Sequence, residues 1–439
     1  MSRTTTALTT AALGLALLVP AGAQAAGETC QGQPATVVGT DSQALVGTEG
    51  PDVVVTNGAS TVAALGGTDL VCVTGDVIGS PDTSRVVVID TGAGDDSVEV
   101  SAERWSTRTE LGDGADTFVA TNDREQAVST GRSDTGGSLA MLDAEPDVVR
   151  VTGSATVTTG ERNLANPDVV DIATGSVQWH GRQSSPGAVT ASSDGFLLLG
   201  SSSADIDLDA RAGTMESADT SLTFSGFTGF ELAATAKEGY VYFRGGRLPE
   251  RFTLRADQGW GRYVAMGGGD DVYESDGLGS REENQVRGNG GRDRILLNLP
   301  RHEVTADTNR ARVVAIGPGG GKSIGQTQGF EDLTLGARYA DVRGARGSEE
   351  ITVVACRATV SSRKGRDVVA FSDEIDDTWD PPRCGSWRGT AFGGHGNDVL
   401  LGGSGNDRLT GGPGKDRVEG RGGRDVCSGE QRRTCEKRA

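Results

Sequence analysis

Residues 393–428 read GGHGNDVLL, GGSGNDRLT, GGPGKDRVE and GRGGRDVCS, four nine-residue units in unbroken register. The first six places of each unit are of turn type, where glycine permits positive φ and close approach of backbone carbonyls. The last three places form a short strand whose alternation points place 8 inward. The residues at that place are Leu400, Leu409, Val418 and Cys427, all apolar. Place 6 carries Asp398, Asp407, Asp416 and Asp425. If two units complete one coil, Asp398 stacks on Asp416 and Asp407 on Asp425, about 4.8 Å apart. Stacked carboxylates repel unless a cation lies between them. A Gly/Asp-rich flexible linker would not keep an apolar residue at every ninth place.

This pattern resembles the RTX, or hemolysin-type calcium-binding, repeat family. The resemblance implies a β-roll that holds Ca2+ between stacked turns, with the four aspartates and the carbonyls of Gly393, Gly402, Gly411 and Gly420 as ligands. Calcium takes 6–8 oxygen ligands from carboxylates and carbonyls alike. The stacking pairs lead us to expect about two good sites. Arg421 replaces the second glycine of unit four, and Lys415 and Arg424 fill place 5 of units three and four. Units one and two, with Asn397 and Asn406 there, are therefore expected to make the better turns. Four units give only two coils, too few to stand alone, so the array must stack on something upstream.

The rest of the chain reads as all-β. Glycine is abundant at 67 of 439 residues, and short apolar runs are broken by Gly, Asp, Asn and Ser. Weakened copies of the unit begin at Gly47, Thr91, Leu111, Met266, Gly288 and Ser362, with a partial copy over 65–71. Their intervals exceed nine residues, so most are expected to lack a neighbour one coil away and to serve as structural turns. Residues 226–235 also align with 327–336, and 267–276 with 363–373, a repeat near one hundred residues. Such self-similarity marks a solenoid. We expect a parallel β-helix over 80–390 ending in the β-roll of 391–439, with a β-sandwich as the other architecture. Residues 27–79 resemble the degenerate nonapeptide caps that open exported actinobacterial-type RTX proteins.

Arg3, the apolar run 11–19 and Ala23-Gln24-Ala25 compose a secretory signal peptide over residues 1–26, and so predict a secreted protein. Six cysteines in an exported chain favour disulfides. Connectivity is open on sequence alone, and proximity along the chain favours Cys30–Cys72, Cys356–Cys384 and Cys427–Cys435. The net charge of −19, or −20 once Arg3 is removed, argues against nucleic acid and anionic membranes as partners.

No catalytic signature is present. HExxH and GxSxG are absent, and His180, His302 and His395 are scattered. The stretch 317–323, GPGGGKS, fails the phosphate-loop spacing and reads as a turn. The enzymatic alternative is a calcium-dependent polysaccharide lyase or epimerase on a β-helix, with Asp270, Asp271, Asp373, Glu374, Asp376 and Asp377 as its candidate acids. The preferred expectation is a non-enzymatic calcium-binding protein, for which a cell-surface or matrix polysaccharide is a partner class.

Overall fold

The computed structural model describes residues 27–75, 85–131, 144–257, 259–279, 284–374 and 380–438. The expected signal peptide of residues 1–26 lies outside them, as do Asp376 and Asp377. Among the described residues the chain is all-β, with a single 3-10 turn at Thr308–Arg310 and no helix long and apolar enough to cross a membrane.

The C-terminal units fold as their period dictates. Val399–Leu401 pairs in parallel with Arg417–Glu419, and Arg408–Thr410 with Val426–Ser428. One coil is therefore 18 residues, two units long. Val369, Leu400 and Val418 align across successive strands, as do Ala391, Leu409 and Cys427, and all six are fully buried. Every place-8 residue thus faces the interior, as alternation requires.

The same stacking continues upstream with longer coils. Parallel pairing joins Val54, Val71, Val98, Phe118, Val149, Val170 and Val189 into one inward column. A second column runs through Leu197, Phe230, Phe252, Tyr273, Ile295, Leu333, Ile351 and Val369. Each residue covers the apolar face of the one before it, so the core is a line of stacked side chains. The parallel ladders establish a β-helix and exclude the β-sandwich. Antiparallel pairing is confined to local excursions, such as Arg312–Ile316 with Lys322–Gln328. The glycine-rich stretch 317–323 spans the turn of that hairpin, where the Gly317 N–H donates to the Gly321 carbonyl at 2.9 Å.

Two sequence expectations need correction. The weakened upstream copies do have neighbours one coil away, because coil length in the body is not fixed at 18. Asp52, Asp69, Asp96, Asp116, Asp147 and Asp168 follow one another at 17, 27, 20, 31 and 21 residues, each interval a single coil. The hundred-residue repeat is only half structural. Asp271 and Asp367 occupy equivalent turn positions before their strands. Phe230, however, lies inside strand Ser221–Ala234, whereas its sequence partner Phe330 precedes strand Asp332–Arg343.

All three disulfides form as proximity suggested: Cys30–Cys72, Cys356–Cys384 and Cys427–Cys435. The first ties the hairpin Thr29–Cys30 and Gln33–Pro34 onto the opening coil, where Cys30, Ala35, Val55 and Cys72 make a small separate core. The last attaches the tail to the inward column at the other end.

Candidate metal centre

The turns of units one and three share one backbone. Gly394 and Gly412 have φ of +95° and +109°, and Gly396 and Gly414 have +144° and +154°, values that only glycine tolerates. Close stacking adds a second constraint. A Cβ on Gly414 would lie 1.5 Å from the Gly396 carbonyl oxygen, and one on Gly396 would lie 1.5 Å from that of Gly365. Gly414→Ala should therefore destabilise the last coil by about 2–3 kcal/mol, read as faster amide exchange over 411–428. Gly319→Ala is the control, since nothing lies within 4 Å of that Cβ position. Equal protection in the two variants would contradict the packing described.

The four aspartates form two ladders. The Asp398 N–H donates to Asp416 Oδ1, and the Asp407 N–H to Asp425 Oδ1, both at 2.9 Å. The structure thus brings together both stacking pairs expected from the spacing. The ladders continue beyond the units. Asp367 donates to Asp398 and Glu349 to Asp367 upstream, while Glu430 and Glu436 accept from Asp416 and Asp425 downstream. Sequence reasoning missed these glutamates. The signal was present in Gly344, Gly347 and Glu349, which keep the 1-4-6 spacing with Glu in place of Asp.

One carboxylate oxygen in each rung accepts the neighbouring N–H, which leaves the other to be accounted for. Oδ2 of Asp398, Asp416 and Asp425 is buried and accepts no hydrogen bond. Each lies beside the first glycine of its own unit: Cβ atoms on Gly393, Gly411 and Gly420 would fall 2.5, 2.2 and 2.3 Å from these oxygens. The Gly393 and Gly411 carbonyls each already accept one hydrogen bond, from Ser362 Oγ and the Gly394 N–H, both at 2.8 Å. The place-4 carbonyls of Gly365 and Gly396, absent from the sequence reading, also face the next turn.

Unit two departs from the pattern, which corrects the expectation that units one and two make the better turns. Asp407 Oδ2 accepts the Gly403 N–H at 2.7 Å, and neither Gly403 nor Gly405 has positive φ. Gly405 packs against Trp387, whose carbonyl would lie 2.1 Å from its Cβ. Unit three keeps the regular turn despite Lys415, whose exposed side chain leaves the backbone free to donate to Asn397 Oδ1 at 2.9 Å. What rests on each turn, more than its own place-5 residue, sets its shape.

The electrostatics follow from burial. Burial pushes Asp425 up to about 6, and the charges of Asp407 and Glu436 add to the effect. Asp398, Asp407 and Asp416 are raised for the same first reason, partly offset by the N–H groups they accept. Stacked, desolvated carboxylates with unused oxygens fit a hard divalent cation. Among the described residues no three His, Cys, Asp or Glu side chains converge on one point, so a cation here must draw much of its shell from backbone carbonyls. That suits Ca2+ and does not suit zinc.

The candidate catalytic groups are placed differently. Asp270 Oδ1 accepts the Arg292 N–H at 2.8 Å, and Asp271 is a buried ladder rung. The Glu374 N–H donates to Ser372 Oγ at 3.1 Å in a surface turn. His395 is an exposed turn residue, whereas His180 is buried and held down to about 4 by that burial.

Comparison with known proteins bears on the C-terminal units. Residues 392–427 match the family model described as the RTX calcium-binding nonapeptide repeat, in four copies. These repeats bind Ca2+. No curated protein matches the sequence. Among solved structures, a hyperactive, Ca2+-dependent, β-helical antifreeze protein from an Antarctic bacterium is 14% identical. That match covers 89% of this chain and 86% of the other, with a TM-score of 0.16, too low to relate any residue of one to the other.

Proposed function

We propose that this chain is an exported, non-enzymatic calcium-binding repeat protein. Its C-terminal ions lie between Asp398 and Asp416 and between Asp407 and Asp425, and the turn carbonyls of Gly393, Gly402, Gly411 and Gly420 contribute to their shells. The observation that carries this reading is the set of buried Oδ2 atoms of Asp398, Asp416 and Asp425 that accept no hydrogen bond. A buried, unsatisfied carboxylate oxygen is costly, and a cation supplies what the protein leaves out. Export is supported by the signal-type residues 1–26 and by three disulfides in a chain without free cysteine among its described residues. A non-enzymatic role is supported by Asp270 and Asp271, each of which has an Oδ1 held by a backbone N–H, from Arg292 and Glu250 respectively, both at 2.8 Å.

Calcium calorimetry on the wild type and on Asp398→Asn/Asp407→Asn tests the site. Asparagine keeps the Oδ1 acceptor of each rung and removes the charge. The variant should lose about two equivalents of calcium. Equal stoichiometry and affinity in both proteins would refute the assignment.

A further inference from the structure

We propose a second calcium-binding station near the opposite end of the solenoid, between Asp69 and Asp96, outside the residues that the family match covers. It rests on the calcium reading of the C-terminal turns but uses different residues. Asp69 and Asp96 are 0% and 2% exposed, and their Oδ2 atoms accept no hydrogen bond. Thr91, at place 1 beside Asp96, donates its hydroxyl to the Leu111 carbonyl instead. The Oδ1 atoms are used as in the C-terminal ladder: the Asp52 N–H donates to Asp69 and the Asp69 N–H to Asp96, both at 2.7 Å.

The backbone repeats the C-terminal turn in detail. Gly67 and Gly94, at place 4, have φ of +136° and +124°. A Cβ on Gly94 would lie 1.7 Å from the Gly67 carbonyl oxygen, as one on Gly396 lies 1.5 Å from that of Gly365. A lone parallel bridge links place 3 of successive turns in both regions, Gly66 with Ala93 and Lys364 with His395. At place 5, Asp95 Oδ1 accepts the Ala115 N–H at 3.0 Å, as Asn397 Oδ1 accepts that of Lys415 at 2.9 Å. The carbonyls of Leu65 and Ala93 accept N–H groups from neighbouring coils, so the place-4 carbonyls of Gly67 and Gly94 are those presented to an ion.

Charge favours this station over the C-terminal one. The turns 65–69 and 91–96 contain neither Lys nor Arg, whereas the C-terminal turns contain Lys415, Arg421 and Arg424. Asp95 and Asp113 border the upstream turns, and Glu49 Oε2 lies 3.1 Å from the Cβ position of Gly66. A divalent cation at the upstream turns meets carboxylates with no Lys or Arg in the turns themselves, so its affinity should be the higher of the two.

Calcium calorimetry on the full chain decides the matter. The wild type should bind at least one equivalent more than Asp398→Asn/Asp407→Asn removes, and Asp69→Asn/Asp96→Asn should lose that equivalent while keeping the C-terminal ones. If Asp69→Asn/Asp96→Asn binds as much calcium as the wild type, with the same affinity, the second station is overturned and the C-terminal reading stands. If instead Asp398→Asn/Asp407→Asn loses nothing, the C-terminal reading fails alone. Should the buried double variant not fold, exposed Asp95→Asn keeps the Ala115 bond and lowers only the local charge. It should weaken the tighter class of sites about threefold, and unchanged affinity would overturn the proposal.

Discussion

In a calcium-free buffer, raising the pH from about 4.5 to about 7.5 should lower the melting temperature, and saturating calcium should cancel that fall. The cause is a set of buried carboxyl groups whose affinity for protons rises on folding. Burial pushes Asp96 and Glu250 up to about 7, and Asp271 and Asp425 up to about 6. Neighbouring acids reinforce each shift: Asp69 and Asp95 beside Asp96, Asp271 beside Glu250, Asp293 and Asp270 beside Asp271, and Asp407 and Glu436 beside Asp425. In the unfolded chain such groups titrate near 4. The folded state therefore holds extra protons between about pH 4 and about pH 7, and stability falls as pH rises through that window. One group shifted by two pH units accounts for about 3 kcal/mol at full effect.

Two other kinds of group act in the opposite sense, and neither reverses the result. His180, held down to about 4 by burial and by Arg162, and His302, also lowered by burial, add stability as pH rises, but they are two groups against several. Asp209 is held near 2 because hydrogen bonds from Arg244 and Arg211 outweigh its burial, so its contribution is lost only in stronger acid. Calcium binds the deprotonated carboxylates, so its stabilising term grows with pH. Differential scanning calorimetry at several pH values, in chelator and in calcium, checks both slopes. A calcium-free melting temperature that rises across this range would show that the ladders ionise without penalty.

The two ends of the molecule were not equally legible in the sequence. In 393–428 the coil length is constant, so the spacing identified the inward residues and the stacking pairs, and the family resemblance implied the ion. In the body the rungs remain but the coil varies between 17 and 31 residues along the N-terminal ladder. A fixed period cannot reveal neighbours whose separation changes, and so the Asp69 and Asp96 turns read as isolated. Substitution hid others: Glu250 and Glu349 do the work of aspartate at place 6. Arg262 gave no signal at all. It is 1% exposed in strand Trp260–Gly268, where its guanidinium donates to the Ala256 carbonyl at 3.0 Å. Nothing in the residue pattern distinguishes such an arginine from a solvated one, because the acceptors it reaches are main-chain carbonyls six and two residues before it, and every residue carries one.

Phe252→Ala should divide the unfolding of the molecule into two steps. Phe252 is fully buried and lies in the inward column between Phe230 and Tyr273. It stacks on Phe243, with ring centroids 4.1 Å apart and planes 6° from parallel. Truncation removes that contact and opens a cavity where the column has no other residue to close it, at a cost of about 3–5 kcal/mol. In a solenoid each coil contacts only its neighbours, so such a loss weakens one interface without being spread over the whole. The coils before and after 252 should then unfold at separate denaturant concentrations. Amide exchange should rise over the strands Ser221–Ala234, Arg251–Ala256 and Val272–Ser275, and protection in calcium should persist at Val399–Leu401 and Arg417–Glu419. Phe252→Leu, which keeps most of the volume, should cost about 1 kcal/mol and leave one transition. A single cooperative transition in Phe252→Ala, shifted as a whole, would mean that the coils are coupled over longer distances than nearest-neighbour stacking provides.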